Sequence, residues 1–147
     1  MPGATPLIEA LREHLIDEGI VRDPRVAGSL PPCWRSPKNG VPQPGQGTTV
    51  EKGDPVVGLF PAPGVPMRSY DAGVLRKDGV DIRIRSSTPP AAIALDDQIR
   101  EVLSDQRAYQ LGDLLIVESL LERPLDLVVS DDQGYDFVAG YIFERHA

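Results

Sequence analysis

The sequence predicts an α+β fold: a mixed, largely antiparallel central sheet flanked by two main helices, with a long Pro/Gly-rich loop. Three observations carry this. Two segments have helical spacing with clear start signals, four to six others have strand character, and the strands outnumber the helices. Fifteen prolines and 14 glycines in 147 residues limit the helix content and call for at least one long irregular stretch. No internal repeat or second composition block interrupts the chain, so residues 1–147 are read as a single domain, with 28–53 as an extended loop within it.

The first helix is read from "TPLIEALREHLIDEG". Thr5 is the expected N-cap, Pro6 takes the first helical position and Glu9 sets an acid near the positive end. Leu7, Ile8, Leu11 and Leu15 form the apolar stripe, and Gly19 is the stop. From Gly28 to about Gly53 prolines and glycines forbid helix, in a run longer than ordinary connections. The lone tryptophan, Trp34, lies there beside Arg35, which favours a loop that docks on something.

A short strand is expected over Val56–Phe60, then a short extended segment ending in a turn at Asp78-Gly79. The strand Val80–Arg85 follows, with Val80, Ile82 and Ile84 on its inner face and Asp81, Arg83 and Arg85 on the other. Thr88 caps the second helix, Pro89 opens it, and Ala92, Leu95, Ile99, Val102 and Leu103 line its buried side. Strands are expected near Leu114–Leu120, Leu125–Val129 and Tyr135–Glu144, the last pair turning at "SDDQG".

The net charge of −7 gives no basic footprint for nucleic acid or an anionic membrane. One cysteine, Cys33, cannot form an internal disulfide, which fits a reducing compartment. The N-terminal stretch lacks the basic and apolar regions of a signal peptide, and no apolar run reaches membrane-spanning length. The expectation is a soluble protein made in the cytosol.

Chemistry is sparse. His14, read as solvent-exposed on the first helix, and His146 are the only histidines, no serine sits in a G-x-S-x-G elbow, and Cys33 is read as a small loop residue. Zinc spacing is absent, and a calcium loop counted from Asp131 meets Ile142 where a glutamate is required. There is no P-loop or dinucleotide fingerprint, and the neighbouring acids Asp96-Asp97 do not face each other on a helix. The reading is a non-enzyme without cofactor or metal.

Arg83 and Arg85 pose the remaining question. Buried without partners they would be costly, so they face water, pair with carboxylates elsewhere, or meet a second subunit.

A strand "VDIRIR" running through a Ser/Thr/Pro turn into the amphipathic "AIALDDQIREVL" resembles the core of phage tail terminator and minor capsid (head-tail joining) proteins of long-tailed bacteriophages. "LIEALREHL" before it and the hairpin with "DDQG" and "YDFVAGYIFERH" after it agree, so the resemblance covers most of the chain outside the loop. It implies a structural virion protein, made and assembled in the host bacterial cytoplasm: a homo-oligomeric ring of hexameric type at the head–tail junction. Such a ring caps the tail tube, ends tube growth and joins the tail to the head connector. The implied partners are further copies of the chain, the tail tube protein, a head-side connector or stopper protein, and double-stranded DNA passing through without specific binding. On that reading Trp34, Arg35, Arg83 and Arg85 are candidate interface residues, and Asp131 and Asp132 candidate channel-facing acids, whose like charge keeps DNA mobile. Two alternatives stay open: a head-side neck or stopper protein, and a small cytosolic binding or regulatory domain or carboxylate enzyme fragment.

Overall fold

The computed structural model describes residues 4–35, 55–62, 69–70, 75–131 and 134–146. Side chains are described for these except residues 4–6, 69–70, 75–76, 131 and 146. Two helices, α1 (Ala4–Asp17) and α2 (Pro89–Leu103), accompany strands β1 (Cys33–Arg35), β2 (Val56–Pro61), β3 (Ser69–Tyr70), β4 (Leu75–Ser86), β5 (Gln106–Leu111), β6 (Leu114–Asp131) and β7 (Gly134–His146). The sheet order is β1-β2-β4-β7-β6-β5, with β3 also on β4. Every pairing is antiparallel except β1 with β2.

Helix α1 starts at Ala4, so Thr5 lies inside it rather than capping it. Glu9 is correspondingly deeper than the first turn and pairs with Arg12 and Arg35 instead of the helix dipole. Gly19 ends the helical region at φ +73, where a side chain would be strained. Leu7, Leu11 and Leu15 are fully buried and Ile8 nearly so. In α2 the residue before the helix, Thr88, is extended, but its side chain makes no capping bond; Ser86 Oγ accepts from Thr88 N–H at 3.2 Å. Ala92, Leu95, Ile99 and Leu103 are buried, with Asp96 among them.

Both helices belong to one core cluster with Val57, Leu59, Val80, Ile82, Ile84, Phe137, Ala139, Tyr141 and Phe143. They therefore cover the same face of the sheet, giving two layers. Cross-strand partners share a face, so the rows Cys33–Val57–Ile84–Phe137–Leu127 and Val80–Tyr141–Leu121 run along this inner side.

Four local expectations are corrected. Asp78-Gly79 is no turn: β4 runs unbroken through it, and Asp78 lies buried, its carboxylate accepting from Arg145 Nε at 2.7 Å. The β-branched and aliphatic run beyond it draws the whole segment into pairing with β7. Cys33, Trp34 and Arg35 are no loop. Two prolines before them hold the chain extended, and Cys33 is fully buried on a strand beside β2. The segments near Leu114–Leu120 and Leu125–Val129 are one 18-residue strand, β6. Pro124 is tolerated there because its edge of the strand is free. Finally, β5 is unforeseen: "QRAYQL" is mostly exposed and polar, and Ala108 sits at φ +51. His14 is likewise half-buried, its ring 6.0 Å from that of Tyr109 on β5. The rest of the Pro/Gly-rich loop, 36–53, lies outside the described residues.

Candidate interaction surfaces

The face of the sheet away from the helices carries charges matched across strands. Arg85 lies directly opposite Asp136, and Arg83 and Arg85 both approach its Oδ2 at 3.7 Å. Asp136 and Arg85 are buried, whereas the Arg83 side chain is 38% exposed and also lies over the Phe60 ring at 5.5 Å. Of the three readings of the arginine pair, carboxylate pairing holds, and the partner comes from the neighbouring strand. One strip further along, Arg123 of β6 reaches across β7 to donate to Asp81 of β4. It can do so because residue 140 between them is glycine: a Cβ there would lie 2.7 Å from Arg123 Nε and Nη2. Lys77–Glu144 at 3.9 Å and Arg107–Glu118 at 3.0 Å continue the pattern.

At the β1 end lies an open groove of about 290 Å³, lined by Arg12, Asp23, Pro24, Arg25, Trp34 and Arg35. Three guanidinium groups and one carboxylate give its lining a positive balance. Glu9 accepts from both Arg12 and Arg35, and the Arg12 hydrogen bond leads in holding its carboxyl below the usual range. Arg25 holds Asp23 well below the ordinary carboxylate range by hydrogen bonding to it. Two buried donors of the lining, Arg12 Nε and Trp34 Nε1, have no hydrogen-bond partner. Arg22 orders the neighbouring segment by donating to the carbonyls of Asp23, Val26 and Leu30.

At the opposite end, β5 covers β6 only from Leu114 to Ser119. Among the described residues nothing pairs with the other edge of β6 from Leu120 to Asp131. Leu127, Val128 and Val129 there are 46%, 48% and 42% exposed. A bulge between Leu127 and Val129 turns consecutive side chains outward.

Trp34 and Arg83 share one cross-strand row, Trp34–Gly58–Arg83–Val138–Asp126, while Arg35 lies in the next, with Leu59 and Ile82. Asp131 pairs through its backbone with Gly134 at the hairpin end, remote from β1 in the strand order; its side chain and Asp132 lie outside the described residues. Sequence reasoning missed Asp136, Asp81 and Arg123, whose roles depend on strand register. It also missed the exposure of Leu127–Val129, which read as ordinary strand interior. Among the described residues no cluster of His, Cys, Asp or Glu could hold a metal ion, and no helix is long and apolar enough to cross a membrane.

A family model described as "Bacteriophage tail terminator protein" matches residues 47–138 of the chain. None of the curated proteins compared with it matches. One solved structure, without a functional name, shares the fold at TM-score 0.54 and 11% identity, covering 100% of this chain and 97% of that one.

Proposed function

The chain belongs to the bacteriophage tail terminator family, and from that premise we propose that it forms a homo-oligomeric ring, of hexameric type, at the head-proximal end of the tail tube. Membership of the family makes it a structural phage protein and implies a place in the virion. The finer reading is that the ring caps the finished tube, ends its growth and joins it to the head-side connector. The observation that carries it is the extent of the family match, which runs from ahead of β2 through α2 to the start of β7, the segment that builds most of the sheet.

Surface chemistry supports this reading. The net charge of −7 suits a wall past which DNA must slide without sticking, and Asp131 and Asp132 are the acids we place toward that channel. Trp34 and Arg35 are placed against a partner ring or neighbouring subunit. Arg83, the exposed member of its pair, is the one free to reach a second surface, whereas Arg85 is held inside its own sheet.

The experiment is to block the gene in its parent phage and image the lysate by negative-stain electron microscopy. Overlong tubes beside filled, tailless heads are expected. Unattached tails of normal length beside empty or leaking heads would move the protein to the head side of the neck. Normal virions would sink the structural reading.

A further inference from the structure

The two ends of the sheet present unlike but complementary surfaces. The β6 edge has two parts. From Leu121 to Asp126 it is guarded by Pro124, by the charges of Glu122, Arg123 and Asp126, and by register breaks. These are the devices by which strand edges avoid unwanted pairing. From Leu127 to Ser130 there is neither proline nor charge, and beside the bulge between Leu127 and Val129 three consecutive aliphatic side chains stand exposed. Arg123 is spent on Asp81, so Glu122 and Asp126 leave this edge with an acidic balance.

The groove at the other end offers an indole and three guanidinium groups. Its chemistry fits a segment bringing apolar side chains, carboxylates and backbone carbonyls. A main-chain ladder is less suited to that end, because the Cys33 N–H already donates to the Arg22 carbonyl at 3.0 Å.

Register then selects the occupant. The cross-strand row that ends in Trp34 at β1 ends in Asp126 at β6, and the row that ends in Cys33 ends in Leu127. Groove and bare edge therefore lie at the same level of the sheet, on opposite sides. Turning one copy onto the next about an axis beside the sheet brings them together without a slide along the strands. Such a contact is head-to-tail and closes into a ring if the rotation permits.

We propose that residues Asp126–Ser130 of one copy seat in the Trp34 groove of the next, with Val128 and Val129 against the indole and Asp126 toward Arg25. This rests on the reading that the protein assembles with itself, and it names the surfaces that would do so.

The test uses the full chain carrying Arg25→Cys in one preparation and Val128→Cys in another, treated with a short bismaleimide singly and mixed. Cys33 is fully buried and adds no background. A mixed dimer formed only on combining the two, and a ladder of two, three and more copies from the doubly substituted chain, are the expected results. Adding Leu127→Ser and Val129→Ser to these chains should lower the cross-linked fraction about tenfold or more, with the circular dichroism spectrum unchanged. Dimers from the Val128→Cys chain alone would show tip-to-tip pairing and overturn the proposal. No cross-linking in a preparation that elutes as a ring would overturn it while leaving the terminator reading intact. A chain that stays monomeric at every concentration and does not cross-link would overturn it too, with the lysate experiment deciding the terminator reading separately.

Discussion

Gly140→Ala is the most informative single change in the sheet, because its cost should fall on a pair of residues it does not belong to. Gly140 has no left-handed backbone, so alanine fits its conformation and by itself should gain about 0.5–1 kcal/mol in a strand interior. The new methyl instead occupies the path of Arg123, whose Nε and Nη2 lie 2.7 Å from the added carbon. The Arg123 side chain is 53% exposed and can swing into water at little cost, but Asp81 is only 11% exposed and cannot follow. An exposed pair is worth roughly 0–1 kcal/mol, whereas a buried carboxylate stranded without its donor costs about 1–3 kcal/mol. The second effect wins, so Gly140→Ala should destabilise by about 1–2 kcal/mol net, or lower Tm by roughly 2–8 °C. In an Arg123→Ala background the methyl displaces nothing, and the same substitution should stabilise by about 0.5–1 kcal/mol. The assay is urea unfolding of wild type, both single variants and the double variant, followed by circular dichroism and by the fluorescence of Trp34. A coupling of about 2 kcal/mol with a change of sign is expected. Equal destabilisation in both backgrounds would mean a backbone clash, and would refute the account of Arg123 crossing Gly140 to hold Asp81.

Three further outcomes follow from buried polar groups. Asp78→Ala removes the buried carboxylate to which Arg145 Nε donates, and should cost about 1–3 kcal/mol with the urea m-value unchanged; a loss under about 0.5 kcal/mol would show the pair relaxing into water. Burial raises the carboxyl of Asp96 above its ordinary 3.8 despite the opposing Arg100. The folded state thus holds a proton the unfolded chain has already released, and stability contributed at that site is lost as pH rises from 3.8 through the raised folded value. Asp96→Asn should therefore gain on wild type across that interval in urea melts taken at a series of pH values, and an opposite slope would contradict the burial argument. The Cys33 thiol, pushed up to about 12 by complete burial, should react with a thiol reagent roughly a thousandfold more slowly in the native protein than in urea. Fast native labelling would mean that β1 opens readily.

Much of the fold was legible because its signals are local. The stripe of α1, the proline opening of α2 and the alternation of Val80, Ile82 and Ile84 each fix an element from a few residues, and each lies where its pattern places it. What stayed hidden depends on partners distant in the chain. Asp78-Gly79 has turn chemistry, yet β7 pairs with β4 along its whole length and the buried Arg145 takes up the carboxylate, so tertiary pairing overrides the local preference. Strand β5 has little pattern of its own; it is held by β6 alongside and by Tyr109, whose hydroxyl donates at 2.7 Å to Ser119, itself bonded to the Leu103 carbonyl at the end of α2.

The candidate site divides along the same line. Sequence alone singles out Arg83 and Arg85 as costly, but only register supplies Asp136 and separates the buried arginine from the exposed one. That separation changes how an interface should be tested. A paired substitution of both arginines would remove Arg85 from the interior and could abolish assembly by unfolding the sheet. Arg83→Ser alone leaves Arg85 and Asp136 in place, so a loss of assembly with an unchanged melting curve would belong to the surface and not to the fold.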